Sequence, residues 1–229
     1  MRFCYALLTT ALITAFSSQA AEKPNILFVL FDDMGYGEPT SYRPASLFKT
    51  PNIDRMAKEG IRFTDAHSSA ASCTPTRYGF LTGRYPHRIG QFGVLSTFSR
   101  PLIPKTRLTV ASYLKQNGYV TACIGKWHLG MNWNKQKSKG KNKAKPQLMI
   151  GDKMTGGPNE VGFDYFYGFT HARNIKTIIE QDTVVKEVKP VENQPLMVAK
   201  AMEFLKERSS DKEKPFFLYF PMCPPHKPV

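Results

Sequence analysis

Asn25-Ile26-Leu27-Phe28-Val29-Leu30-Phe31-Asp32-Asp33 is the stretch on which the fold turns. An unbroken apolar run with no alternation predicts a strand covered on both faces, as in a parallel sheet. Two carboxylates follow at once. Ligands of open α/β sheets gather beyond the carboxyl ends of the strands, so Asp32 and Asp33 mark the edge where chemistry can collect. Adjacent carboxylates at the end of an apolar run repel each other and lose hydration unless a cation compensates them. Hard oxygen donors suit Ca²⁺ or Mg²⁺ rather than a soft metal. On these residues alone, a helix N-cap with a first-turn acid, leading into Gly35-Tyr36-Gly37, competes equally with a metal site.

Working outward, the pattern alternates between the two kinds of element. Asn52 is placed to cap a short helix over residues 53–59 that Gly60 ends, and residues 61–66 then read as a strand. Thr109 caps a helix over 110–117, followed by Gly118 and a strand over 119–125. Residues 194–208 are amphipathic, with Leu196, Met197, Ala201 and Leu205 on one face, and Lys214-Pro215 introduces an apolar strand over 216–220. This order predicts an α/β fold with a mainly parallel central sheet flanked by helices. Residues 132–157, basic and without apolar period, read as a loop, while 175–179 and 183–188 flank Glu180-Gln181-Asp182 as a hairpin.

Composition narrows the class. The chain has 229 residues, 41% apolar and 22% charged, with 16 Gly and 17 Pro, which excludes collagen, coiled coil and wholesale disorder. A net charge of +14 favours anionic partners. Much of the excess, however, lies in Lys135, Lys137, Lys139, Lys141, Lys143 and Lys145, the pattern of one solvated loop. No zinc-finger, homeodomain or RNA-recognition pattern is present, so nucleic acid is not an expected partner. Residues 1–20 read as a secretory leader, with Arg2, an apolar run over 5–16 and Ser18-Gln19-Ala20. The run is too short to span a bilayer, so the expectation is export to a periplasm or the medium, without a stable membrane anchor. The domain expectation is a signal peptide over 1–20 and one catalytic domain over 21–229. With Cys4 in the leader, Cys73, Cys123 and Cys223 cannot all pair internally.

Cys73 precedes Pro75 in a segment that can form a helix closed by Gly83, which puts the thiol at a helix N-terminus where anions are favoured. Arg77, about one turn on, can point its guanidinium to the same side and hold an oxyanion. An inert buried thiol is the alternative for Cys73. Lys126 and His128 follow one strand and His226 follows the last, and a structural histidine remains an open reading for each imidazole.

Cys73-Thr74-Pro75-Thr76-Arg77, continued by Leu81-Thr82-Gly83-Arg84, resembles the signature of the type I sulfatases, of the alkaline phosphatase superfamily. Supporting segments stand in family order: Lys23-Pro24-Asn25-Ile26, Asp32-Asp33-Met34-Gly35-Tyr36-Gly37, Thr50-Pro51-Asn52-Ile53-Asp54, Gly125-Lys126-Trp127-His128-Leu129-Gly130, Gly162-Phe163-Asp164 and Pro225-His226. The resemblance implies hydrolysis of sulfate monoesters, aryl or carbohydrate, by a formylglycine made from Cys73, whose hydrated aldehyde is the nucleophile. It implies Ca²⁺, with Mg²⁺ second, on Asp32, Asp33 and the modified Cys73, and Arg77 stabilising the hydrate. Lys126, His128 and His226 match residues that bind sulfate and assist proton transfer, and His171 matches a further substrate contact. Implied partners are a sulfated small molecule or polysaccharide and a maturation enzyme, either formylglycine-generating or anaerobic. The resemblance also implies a later Asp-Asn pair and a second lysine that this sequence does not contain, so the expectation is an incomplete catalytic domain with little activity of its own. A phosphate or phosphonate ester hydrolase of the same superfamily and a non-catalytic binder of sulfated polymers are the alternatives.

Overall fold

The computed structural model describes residues 23–134, 147–211 and 213–227. The leader over 1–20 and the lysine-rich run from Lys135 to Lys145 lie outside the described residues. Eight strands form one sheet: β1 (Ile26–Asp32), β2 (Val120–Lys126), β3 (Asn132–Asn134), β4 (Lys153–Thr155), β5 (Tyr165–Phe169), β6 (Thr177–Glu180), β7 (Thr183–Glu187) and β8 (Phe216–Pro225). Their spatial order is β1-β8-β2-β5-β6-β7-β4-β3. The β1-β8, β8-β2 and β2-β5 pairs are parallel, whereas β5-β6, β6-β7, β7-β4 and β4-β3 are antiparallel. The sheet is therefore mixed, with the parallel half carrying the apolar strands anticipated from the sequence.

Helices α1 (Pro51–Glu59), α2 (Cys73–Thr82), α3 (Val110–Gln116) and α4 (Pro190–Ser210) complete the α/β fold. Tyr78 and Leu81 of α2 and Ala111 of α3 pack on one sheet face with Cys123, Phe166, Phe217 and Tyr219. Met197, Ala201 and Phe204 of α4 cover the other with Ala122, Ile124, Tyr167, Phe216 and Leu218. Alternate residues of β2 and β8 thus feed opposite cores, which is why these strands are apolar throughout. At the site end the strands approach closely. A Cβ on Gly125, whose φ is 132°, would lie 2.2 Å from the Pro221 carbonyl oxygen, so only glycine fits there.

Several expectations are corrected. Residues 61–66 form no strand: they are exposed, and side chains of the preceding loop take their carbonyls, with Tyr42 Oη donating to Phe63 O at 2.9 Å and Tyr36 Oη to Thr64 O at 3.3 Å. α1 starts at Pro51 with Thr50 as its N-cap residue, rather than at Ile53 capped by Asn52, because proline suits the first helical turn. The stretch 132–157 is not loop throughout, since Asn132–Asn134 and Lys153–Thr155 pair as β3 and β4. α4 starts earlier, at Pro190, and buries Asn193 and Phe204 beside Met197 and Ala201. The hairpin is present as β6 and β7, and Thr109 caps α3 in a reciprocal pair with Ser112.

Candidate active site

α2 begins at Cys73 and ends where Gly83 adopts the left-handed conformation at φ 64°, so the thiol does sit at a helix N-terminus. It meets the end of β1. Cys73 Sγ donates to Asp32 Oδ1 at 3.2 Å. From the end of β2, Lys126 Nζ donates to Asp32 Oδ2 and lies 3.4 Å from Cys73 Sγ. Arg77 donates from Nη1 to the Lys126 carbonyl at 2.7 Å, with Nη2 3.5 Å from Asp32 Oδ1. Asp32, Arg77 and Lys126 are all buried. Burial alone would push the Asp32 carboxyl up, but the Arg77 guanidinium and the Lys126 ammonium together outweigh it and hold the carboxyl below its usual range. Burial pushes the Cys73 thiol up against the pull of Lys126, so the unmodified side chain is a poor thiolate nucleophile.

Two clefts meet at Cys73. One, of about 270 Å³, is lined by Asp32, Asp33, Ser72, Cys73, Thr76 and Arg77 among others. The other, of about 460 Å³, carries Lys126, His128, His171, Arg173 and His226 beside Cys73, and among the described residues no carboxylate lines it. Asp33, after the β1 strand, adopts φ 66° and is largely exposed, with Oδ2 3.7 Å from His226 Nε2. The structure therefore brings together Asp32, Asp33, Cys73, Arg77, Lys126 and His226, with His128 and His171 on the second cleft.

The two buried imidazoles are tied to their surroundings. His128 Nε2 is 2.8 Å from the Leu95 carbonyl, which can only accept, so Nε2 carries the proton; Nδ1 is buried with no partner among the described residues. Burial lowers the His128 pKa to about 3, and Lys126 adds to this against the Leu95 hydrogen bond. His171 Nδ1 accepts from the Arg173 amide at 3.1 Å and Nε2 faces Thr97 Oγ1 at 2.8 Å, so both ring nitrogens are engaged within the chain. Burial, then Lys126 and Arg173, lower its pKa to about 4. Sequence reasoning missed Thr74, Leu95 and Thr97. Thr74 stands inside the signature beside Cys73, but nothing in residues 94–99 signalled that this loop closes over His128.

As metal donors, Asp32, Cys73 and His226 offer atoms within 4.8 Å of one another. Carboxylates suit a hard cation, and Asp32 is the carboxylate in this group while Asp33 lies outside it; a thiol and an imidazole do not suit Ca²⁺. Position 73 fits such an ion once its sulfur is replaced by oxygen.

This arrangement of acidic and cationic clefts around one signature cysteine has clear relatives. The sulfatase family matches residues 24–229. The chain belongs to the sulfatase family. It is 40% identical over 167 residues to human steryl-sulfatase, covering 69% of this chain and 26% of that protein. It is 46% identical over 128 residues to bovine arylsulfatase A, covering 55% and 25%, and 37% identical over 149 residues to the N-acetylgalactosamine-6-O-sulfatase of Bacteroides thetaiotaomicron, covering 65% and 27%. Among solved structures it resembles a sulfatase from Pseudoalteromonas sp. with a TM-score of 0.70 at 26% identity, covering 90% of this chain and 45% of that one. A structure in complex with its substrate D-glucosamine-2-N,6-O-disulfate matches with a TM-score of 0.63 at 30% identity, covering 89% and 35%. The chain thus spans about a quarter of the length of the curated relatives it matches.

Proposed function

We propose that the protein hydrolyses sulfate monoesters of aryl or carbohydrate alcohols, with Cys73 oxidised to formylglycine by a maturation enzyme and Ca²⁺ held by Asp32, Asp33 and the oxygen-bearing residue 73. The observation that carries this reading is that Cys73 is shared by the two clefts, one lined by both aspartates and one rich in cationic and imidazole groups. When present, the hydrated aldehyde supplies a nucleophilic hydroxyl and the ion supplies positive charge beside it.

The chain's own residues do the rest. A sulfate ester's oxygens carry spread negative charge that repels a nucleophile, and cations facing it help most where that charge grows. Lys126, held between Asp32 and Cys73, and Arg77, braced on the Lys126 carbonyl, provide those cations. Each charge-assisted hydrogen bond contributes roughly 1.5–3 kcal/mol net, so one from each of these two cations accounts for about two to four powers of ten in rate. His226 is the more accessible imidazole, with Nε2 3.7 Å from Asp33 Oδ2, and it or Lys126 is placed to protonate the leaving alcohol. His128, held neutral by burial, has no partner on Nδ1 among the described residues, which suits it to accept a proton.

On the substrate side, Arg173 and His171 line the second cleft beside Lys126, a cationic lining that favours an anionic ligand such as a sulfated sugar. Export directed by residues 1–20, and one catalytic unit over 21–229, belong to the same proposal. The test is turnover, by the full-length protein, of the sulfate and phosphate monoesters of one phenol. The sulfate ester is expected to be preferred and its turnover lost in Cys73→Ala. Preference for phosphate, or activity surviving Cys73→Ala, would overturn the reading.

A further inference from the structure

Thr74, the residue after the signature cysteine, is completely buried at the start of α2. Its hydroxyl closes a ring of hydrogen bonds. Leu95 N donates to Thr74 Oγ1 at 3.1 Å, and Thr74 Oγ1 donates its one proton to the His128 carbonyl at 2.8 Å. His128 Nε2 then donates to the Leu95 carbonyl at 2.8 Å. The His128 amide is separately bound to the Thr170 carbonyl at 2.7 Å. His128 has φ 55°, a left-handed conformation that a residue with a β-carbon holds only when its surroundings dictate it.

The ring explains how that is done. One hydroxyl anchors the carbonyl of His128 and the amide of Leu95. The Leu95 carbonyl, presented by the same residue, can only accept, and so selects the Nε2–H tautomer and leaves Nδ1 as the lone-pair site. We propose that Thr74 is a positioning residue: it holds the 94–96 segment against His128, and through the Leu95 carbonyl it fixes the tautomer and orientation of that imidazole. Its consequence for catalysis rests on the proton-accepting role given to His128 above; the tautomer itself does not.

The experiment is ¹⁵N–¹H correlation of the imidazole nitrogens at neutral pH in the 229-residue chain, which holds 5 histidines. His128→Gln assigns the His128 signals. In the parent chain His128 is expected as a single Nε2–H tautomer. Thr74→Val, which keeps the shape but removes the hydroxyl, is expected to give a mixture of tautomers, and Thr74→Ser to restore the single form. A parent chain with His128 as Nδ1–H or as a mixture would overturn the proposal even if Thr74→Val failed to fold. So would a folded Thr74→Val protein with an unchanged His128 pattern, or a Thr74→Ser protein that behaves like the valine variant. None of these outcomes depends on residue 73 being modified, so they separate this inference from the proposed activity.

Discussion

Lys126→Met tests whether the charge cluster is held together as described. Lys126 is buried, and its ammonium contacts Asp32 and Cys73. Removing it leaves the buried Asp32 carboxylate with Arg77 Nη2 at 3.5 Å and the Cys73 thiol at 3.2 Å as its neighbours. Deleting one partner of a buried ion pair costs about 3–5 kcal/mol, because the remaining charge is left under-compensated. At about 2–4 °C per kcal/mol for a domain of this size, melting is expected to fall by roughly 6–20 °C. The assay is urea and thermal unfolding followed by circular dichroism at pH 7 with EDTA, on the parent, Lys126→Met, Asp32→Asn and the double variant. Because the lysine matters mainly through Asp32, the double variant is expected to recover about 2 kcal/mol relative to the sum of the singles. A loss under about 1 kcal/mol for Lys126→Met, or strict additivity in the cycle, would refute the reasoning.

Other outcomes follow from the same geometry. His128 and His171 are held neutral in the folded chain, with pKa values lowered to about 3 and about 4, and take up protons on unfolding below pH 6.5. Stability therefore falls as pH drops from 6.5 towards 4, by up to about 1.4 kcal/mol per pH unit for each imidazole. Urea midpoints between pH 6.5 and 5 should flatten in His128→Gln, and an unchanged slope would contradict this. Gly125→Ala brings a Cβ to 2.2 Å from the Pro221 oxygen at φ 132° and is expected to cost about 3 kcal/mol or more, read from denaturant midpoints. Asp33→Asn, at an exposed left-handed position that asparagine tolerates, should change stability by less than about 0.5 kcal/mol. The same variant is expected to weaken Ca²⁺ binding at least tenfold by calorimetry in the formylglycine form, and unaltered binding would remove Asp33 from the ion.

The parallel half of the sheet was legible because β2 and β8 are buried on both faces and so carry no polar alternation. β1, read from the same kind of apolar run, instead lies at the sheet edge with Leu27 and Val29 exposed, so the expectation that it is covered on both faces does not hold. The site was legible for a related reason: Asp32, Lys126 and His226 stand where apolar strands end, and Cys73 stands where a helix begins. What escaped was set by tertiary contacts. Residues 61–66 have strand-like composition, yet their carbonyls are taken by Tyr36 and Tyr42, groups far back in the chain. β3 and β4 are three residues each, too short for a period to register. The loop that orders His128 uses the Leu95 backbone, and a backbone carbonyl leaves no mark on residue type.

The most direct test of the central claim is mass spectrometry of the tryptic peptide covering residues 63–77, from protein expressed with a formylglycine-generating enzyme. The account predicts that position 73 is recovered as the aldehyde or its hydrate. An intact thiol on a folded chain from such a host would contradict it.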